Sequence, residues 1–156
     1  MIHVALYQPA IPPNTGNIAR QCVGMNAHLH IIGPTKFEIT DTNAKRAGLD
    51  YWDDLTITLH EDDDAFLEWL GDRQPYLVTK FGEMRFDGPA YQDGDVLIFG
   101  NENTGLPESW REKYAKTCIY VPIPGPVRSY NLSNTAAIVL TQASLKAGLL
   151  DKHILE

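Results

Sequence analysis

Short apolar runs alternate along this chain with stretches in which apolar residues recur at helical spacing. The runs are bounded by turn residues, and they predict strands at 2–7, 29–32, 55–59, 76–80, 96–99 and 118–121. The helical stretches each begin at a capping or first-turn residue, and they predict helices at 14–26, 41–46, 61–70, 107–114 and 131–147. Asn14 is the predicted cap of the first of these helices. Strands that alternate with helices in this way are typical of an α/β domain with a mainly parallel sheet flanked by helices.

The length of the chain, 156 residues, predicts a single domain over residues 1–156. No repeat, linker or low-complexity tract interrupts the pattern. No apolar run is long enough to cross a bilayer, and the first residues lack the apolar core of a signal peptide. We therefore expect a cytoplasmic protein without a membrane partner.

The formal net charge is −7, from 20 acidic and 13 basic residues. Binding to phosphates depends on clustered lysine and arginine, so this balance argues against a nucleic-acid-binding protein of the simple basic kind. The basic residues could still gather on one face, and dimerisation could join two such faces. The acidity counts against an RNA substrate without excluding it.

The cysteines and histidines form no obvious metal site. Cys22 and Cys118 belong to no CxxC pair and to no cluster with zinc-like spacing, so we expect two buried thiols rather than a disulfide. His28 and His30 share one face of a predicted strand. Because two histidines alone are more often packed or solvated than metal-bound, the sequence predicts no metal.

Three segments carry residues that secondary structure alone does not require. The first is PPNTGNIAR at 12–20, where a strand passes into a helix. Ligands of open α/β sheets bind beyond the carboxyl ends of the strands. Asn14, Asn17 and Arg20 recur every third residue and can share a helix face, from which Arg20 could clamp a phosphate. The alternative is a capped helix with one solvated arginine, and this segment alone favours that alternative.

The second segment is VLIFGNENTGLP at 96–107. Gly100 and Gly105 have the spacing of a phosphate loop, but Leu106 and Pro107 stand where that loop needs Lys and Ser or Thr. This excludes a triphosphate-binding loop, and the absence of GxGxxG leaves no dinucleotide fingerprint. What remains is a tight loop that bears the carboxylate of Glu102, or an ordinary turn.

The third segment is VPIPGPVRSYNLSN at 121–134. Its prolines and glycine hold an extended loop whose backbone groups cannot all pair internally, so a ligand with several donors and acceptors would satisfy them. Ser129, Asn131, Ser133 and Asn134 then lead into the last predicted helix. Helix capping by Asn131 or Ser133 is the structural alternative, and it is compatible with ligand binding.

Together the three segments resemble the three motifs of the SpoU branch of the SPOUT methyltransferases. The first is similar to the Asn–Arg helix start of that branch, the second to its GNExxGLP loop, and the third to its proline-rich loop followed by SxNLSN. The opening LYxPxIPPNTGNIAR and the RAGLDY at 46–51 resemble the tRNA (cytidine/uridine-34-2′-O)-methyltransferase subfamily. The resemblance covers the whole chain.

This resemblance implies a deep C-terminal trefoil knot, a homodimer, and S-adenosyl-L-methionine as the cofactor, bound without metal. The implied reaction is 2′-O-methylation of the ribose at the wobble nucleotide, position 34, of tRNA, with leucine isoacceptors as the expected substrates. The implied partner is therefore tRNA, although the acidic composition argues against a simple basic RNA-binding protein.

Carried over residue by residue, the resemblance implies Arg20, Asn17 and Glu102 as catalytic residues. Arg20 is then either the proton acceptor or the group that holds a phosphate and stabilises the developing alkoxide, and the other two organise the site. The resemblance also implies six residues of the cofactor pocket, which are Val78, Gly100, Val121, Ile123, Ser129 and Leu132.

Two other functions stay open at this point. A ribosomal RNA 2′-O-methyltransferase would use the same chemistry, although the lack of an accessory domain and the IPPNTGN start favour tRNA. A non-catalytic α/β domain that only binds S-adenosylmethionine would not need Asn17, Arg20, Glu102 and Ser129 together.

Overall fold

A seven-stranded parallel sheet forms the centre of the protein. The computed structural model describes residues 1–39 and 51–150, so the helix predicted at 41–46 lies outside the described residues. The strands are β1 (His3–Tyr7), β2 (His28–Ile32), β3 (Ile57–His60), β4 (Pro75–Val78), β5 (Met84–Arg85), β6 (Val96–Phe99) and β7 (Cys118–Tyr120). They lie in the order β3-β2-β1-β6-β4-β7-β5, and every neighbouring pair is parallel. The predicted α/β class is confirmed.

Helices cover both faces of this sheet. They are α1 (Pro12–Gly24), α2 (Asp63–Leu70), α3 (Glu108–Lys113) and α4 (Leu132–Lys146), with 3-10 turns at Trp52–Asp54 and Ala115–Thr117. Successive strand residues point to opposite faces, and this divides the core in two. On one face Val4 and Leu29 pack with α1 and α4, and on the other Ala5 and Ile32 pack with α2 and α3.

The start of α1 corrects one prediction. The helix begins at Pro12, with Ile11 as its N-cap, and not at a cap formed by Asn14. Proline suits the first turn because the N–H it lacks would have no partner inside the helix. Asn14 consequently lies inside the helix, buried, and its side chain is free to bond to other segments.

Two further helix starts have side-chain caps. The side chain of Asp62 accepts a hydrogen bond from the backbone N–H of Ala65 at 2.9 Å, within the acidic run that precedes α2. The side chain of Asn131 accepts one from the backbone N–H of Ser133 at 2.9 Å, so Asn131 is the cap of α4. Of the two capping residues that the sequence offered for the last helix, the structure uses the first.

The strand boundaries differ from prediction by a few residues. The strand predicted at 55–59 runs over Ile57–His60, and the one predicted at 76–80 runs over Pro75–Val78. The two-residue strand β5 was not predicted, because its residues Met84 and Arg85 form no apolar run. It exists through its pairing with β7 at the sheet edge.

Both cysteines are free thiols. Cys22 and Cys118 are buried, as predicted, and burial raises the pKa of Cys22 to about 12. Among residues 1–39 and 51–150, no helix combines the length and the apolarity needed to cross a membrane.

Candidate active site

The carboxyl ends of neighbouring strands bring the three sequence motifs to one edge of the sheet. Leu6 of β1 pairs with Phe99 of β6, so the loops that follow these strands leave the sheet side by side. Val78 of β4 pairs with Phe99 and with Ile119 of β7, which places the loop after β7 next to them. In open α/β sheets this edge is where ligands bind.

The loop after β6 is a tight turn that two glycines permit. Asn101 and Gly105 exchange backbone hydrogen bonds of 3.1 and 2.9 Å. Gly105 has φ +72°, a conformation that L side chains rarely adopt. A Cβ atom on Gly100 would lie 2.6 Å from the carbonyl carbon of Gly105, so no larger residue fits there without moving the turn.

Within this turn the side chain of Asn101 acts as a brace. Its Oδ1 accepts hydrogen bonds from the backbone N–H groups of Asn103 at 2.8 Å and Thr104 at 3.1 Å. Its Nδ2 donates to the backbone carbonyl of Gln8 at 2.6 Å, which ties the turn to the loop after β1. The backbone of the second motif is therefore held by its own asparagine.

Glu102 projects from this turn and binds the first motif. Its Oε1 accepts from the backbone N–H of Ala10 at 3.0 Å, and its Oε2 accepts from that of Ile11 at 2.8 Å. Oε2 also lies 3.3 Å from the donor Nδ2 of Asn14. A carboxylate that satisfies two N–H groups at the entrance to α1 suits the positive end of that helix.

Asn14 and Asn131 connect the first motif to the third. Oδ1 of Asn14 accepts a hydrogen bond from Nδ2 of Asn131 at 3.0 Å. Nε2 of Gln21 donates to the backbone carbonyl of Ser133 at 2.8 Å. A continuous chain of hydrogen bonds thus runs from Glu102 through Asn14 and Asn131 into α4, and all three motifs share it.

The structure separates the predicted catalytic residues into two groups. Asn17 and Arg20 lie on the exposed side of α1, whereas Asn14 from the same predicted face is buried. The guanidinium carbon of Arg20 lies 5.5 Å from the ring centre of Tyr51, at cation–π distance. Glu102 bonds to Asn14 and not to either exposed residue among the contacts of the described chain.

Sequence reasoning missed the part played by Asn14. It assigned this residue a capping role, because an asparagine before a helical run is the usual cap. The two prolines before it carried the contrary signal, since they can form the first turn themselves. Asn131 is one of the two predicted caps of the last helix, and the structure adds its hydrogen bond to Asn14.

The six predicted cofactor residues lie along one edge. Val78 ends β4, Gly100 follows β6, and Val121 follows β7, three strands that are neighbours in the sheet. Val78, Val121, Ile123 and Leu132 are half-buried, and Ser129 is exposed. Half-buried apolar side chains, next to a glycine that allows close approach of the backbone, fit the flat ring of a nucleoside.

The loop that carries Val121, Ile123 and Ser129 has a backbone open to ligands. Within the described part of the chain, the backbone N–H and C=O groups of residues 121–130 form no hydrogen bonds with other backbone groups. The hydroxyl of Tyr130 donates to the carbonyl of Pro122 at 3.2 Å and joins the two ends of the loop. The remaining N–H and C=O groups are free to read a ligand that supplies both donors and acceptors.

This arrangement matches a known family. A model of the SpoU rRNA methylase family matches residues 1–141. The chain belongs to this family. Its membership confirms the resemblance that the three motifs carried.

Relatives of this SpoU-family chain are similar over nearly its whole length. The tRNA (cytidine(34)-2′-O)-methyltransferase of Escherichia coli K12 is 41% identical over 149 residues, which are 95% of this chain and 95% of that protein. A solved structure concerned with the 2-OH methylation of C/U34 on tRNA has 37% identity and a TM-score of 0.87, and the match covers 94% of this chain and 95% of that one.

More distant SpoU structures share the fold alone. The SpoU methyltransferase AviRb of Streptomyces viridochromogenes, in complex with the cofactor AdoMet, is 21% identical, with a TM-score of 0.76. The match covers 92% of this chain and 59% of that one. The trefoil knot that the SPOUT resemblance implies stays a prediction for this chain.

Proposed function

We propose that this chain transfers a methyl group from S-adenosylmethionine to the ribose 2′-hydroxyl of nucleotide 34 in tRNA. The observation that carries the proposal is the hydrogen-bond chain from Glu102 through Asn14 to Asn131, which joins the three SpoU motifs at one sheet edge. The near full-length similarity to the Escherichia coli enzyme supports the choice of tRNA and of position 34.

The residues at this edge fit S-adenosylmethionine. Val78, Val121, Ile123 and Leu132 would hold the adenine ring between half-buried apolar side chains, and Gly100 would let the backbone approach it. The free backbone groups of 121–130 and the hydroxyl of Ser129 would bind its polar atoms. When bound, the cofactor supplies a methyl group that the sulfonium has already made electrophilic.

The chain itself has to place the ribose and help it lose a proton. Arg20 is exposed, and a guanidinium presents N–H donors in a planar fork. It can hold the neighbouring phosphate in a bidentate pair and stabilise charge on the 2′-oxygen. Asn17 lies one turn earlier on the same exposed side, where it can orient the ribose.

Glu102 has a positioning role in this proposal. Its carboxylate is engaged by the N–H groups of Ala10 and Ile11, so it fixes the entrance to α1. Since Asn17 and Arg20 lie on that helix, Glu102 sets where both side chains point.

We also propose a homodimer. A single acidic domain of 156 residues offers little surface for a tRNA, and two copies would double it. By family resemblance we expect α1 and α4, which pack against each other within one chain, to form the interface together. Ile138 and Leu145 of α4 are 38% and 56% exposed and lie two helical turns apart, so they form one apolar strip on the exposed side of α4 that a second copy could cover.

The test is a methylation assay on RNA of known sequence. The purified chain is incubated with S-adenosylmethionine and unmodified tRNA, and ribose methylation is mapped by mass spectrometry. Methylation at position 34 supports the proposal. Methylation of ribosomal RNA alone would identify the rRNA alternative, and tight cofactor binding without any methylation would identify a non-catalytic binding domain.

A further inference from the structure

Four histidines gather on the face of the sheet that α2 covers. His3 of β1 pairs in register with His28 of β2, and His30 follows two residues later on the same face. His60 ends the neighbouring strand β3. The ring centres of His28 and His30 are 4.0 Å apart, and the ring of Trp69 from α2 lies 4.1 Å from that of His30.

The nitrogen atoms of these rings point at one another. Nδ1 of His3 lies 2.9 Å from Nε2 of His30, and Nδ1 of His30 lies 2.9 Å from Nε2 of His60. One nitrogen each from His3, His28 and His30 lies within 4.8 Å of the other two. Zinc binds imidazole nitrogen at about 2.0–2.1 Å, which puts tetrahedral ligands ~3.4 Å apart, so small side-chain shifts would bring all three to one ion.

We propose that His3, His28 and His30 bind a divalent transition-metal ion of the zinc type. When Nε2 of His30 ligates the ion, its Nδ1–H donates to Nε2 of His60, which fixes the tautomer and the ring orientation from the outer shell. The hydroxyl of Thr58, 2.7 Å from Nε2 of His28, holds that ring in place. The fourth position is left to water, as in other three-histidine sites.

The ion would serve the fold and not methyl transfer. His3 and His28 begin their strands, whereas the motif residues follow the ends of β1, β6 and β7. The ion would join β1 to β2 near the amino ends of these two strands. It is therefore independent of the proposed function.

The first experiment measures binding of Zn²⁺ to the full-length, metal-free protein by calorimetry, and the absorption spectrum of the Co²⁺ form. Zn²⁺ and Co²⁺ are chosen because Cu²⁺ and Ni²⁺ favour square-planar geometry, which would not report a tetrahedral site. We expect one Zn²⁺ per chain and a tetrahedral Co²⁺ spectrum. The absence of zinc binding would overturn the proposal.

Variants then assign the ligands. His60→Gln should weaken zinc binding by ~10- to 100-fold, the range typical of a lost outer-shell partner, and His28→Gln and His30→Gln should each weaken it by more than that. His28 is half-buried, so its variant decides the matter if the variant of the fully buried His30 does not fold. Equal binding by wild type and His28→Gln would exclude the site.

Two further variants control for charge. The guanidinium carbon of Arg73 lies 4.3 Å from the ring centre of Trp69, which packs on His30, so Arg73→Gln removes a positive charge near the site and should tighten zinc binding. Asp64→Asn removes an exposed carboxylate of the acidic run and should leave binding unchanged. If Asp64→Asn loses zinc binding while His28→Gln keeps it, the zinc is bound by the acidic run and the proposal is overturned.

Discussion

The carboxylate of Glu102 accepts a hydrogen bond of 2.8 Å from the backbone N–H of Ile11, across 91 positions of sequence. Glu102→Gln keeps the size of the side chain but turns one acceptor into a donor, which would face an N–H group. We expect methylation to fall at least about tenfold, and the free energy of unfolding to fall by roughly 1–2 kcal/mol, since hydrogen bonds to charged groups contribute little more than this at half-exposed sites.

The matched control for this change is Glu112→Gln, which alters an exposed glutamate of α3. Steady-state methylation of tRNA and urea unfolding measure the two effects. Wild-type activity in Glu102→Gln would show that the entrance to α1 does not depend on this carboxylate.

Substitutions of Arg20 test whether its side chain is catalytic or only solvated. Loss of a single transition-state contact lowers a rate by ~100- to 1,000-fold, so Arg20→Ala should nearly abolish methylation while the fold and cofactor binding persist. Arg20→Lys keeps the charge but loses the planar fork, and a bidentate role predicts a large loss there too. Arg73 precedes β4, at the amino ends of the strands and away from the motifs, so Arg73→Ala should methylate at the wild-type rate.

Single-turnover rates on tRNA measure these differences. If both Arg20 variants methylate at near wild-type rates, the first motif does not supply a catalytic residue.

Gly100→Ala tests the turn of the second motif. The added Cβ would lie 2.6 Å from the carbonyl carbon of Gly105, so the turn has to move and the proposed cofactor pocket with it. We expect weaker binding of S-adenosylmethionine, measured by calorimetry, in a protein that still folds. Gly24→Ala is the control, because a Cβ at Gly24 meets nothing within 4 Å. Equal affinities in the two variants would remove Gly100 from the pocket.

The exposed apolar residues of α4 predict a dimer that charge can break. Ile138 and Leu145 are seven residues apart, which is two helical turns, so they share a face. Ile138→Asp should shift the protein towards monomer in light scattering and lower methylation in parallel. Leu59→Asp, on the exposed side of β3, should leave the dimer intact. A stable monomer of wild type that methylates tRNA would contradict the interface.

The histidines of the sheet predict a loss of stability in mild acid. In the unfolded chain His3 takes up a proton near pH 6.5, whereas in the folded protein burial lowers its pKa to about 4. The unfolded state binds more protons between these values, so stability is fully present above pH 6.5 and is lost as the pH falls towards 4. One such proton contributes at most about 1.4 kcal/mol per pH unit.

Urea unfolding at pH 7.5 and 5.5, with a chelator present to remove any metal, measures this slope. His3→Gln removes one titrating ring and should flatten the dependence. A variant with the full wild-type slope would mean that His3 is protonated equally in both states.

The sequence predicts the sheet well because apolar runs and turn residues report burial directly. β1, β6 and β7 lie within two residues of their predicted bounds. β5 escapes prediction because Met84 and Arg85 become a strand only through their partner β7, which the local pattern cannot show. The start of α1 differs, since Pro12 and Pro13 carried a local signal for it, whereas the hydrogen bonds of Asn14 to Glu102 and Asn131 depend on tertiary structure.

The candidate site, like the sheet, could be predicted from the sequence only in part. The motifs indicate which segments meet, since they match a family pattern and each follows a strand. They do not show that Glu102 bonds to backbone N–H groups and not to Arg20, because that depends on how two loops leave adjacent strands. The contact of His3 with His30 depends likewise on β1 lying beside β2.

The sheet order also sets the sequence of events during synthesis on the ribosome. β1, β2 and β3 are adjacent in space, and the chain can pair them early. β4 cannot join them on emergence, because β6, made later, stands between β1 and β4. Until Val96–Phe99 leaves the ribosome, β1 has an open edge of unpaired N–H and C=O groups, which is a known template for aggregation. The nascent chain is therefore most vulnerable to aggregation while the segment between β3 and β6 is being translated.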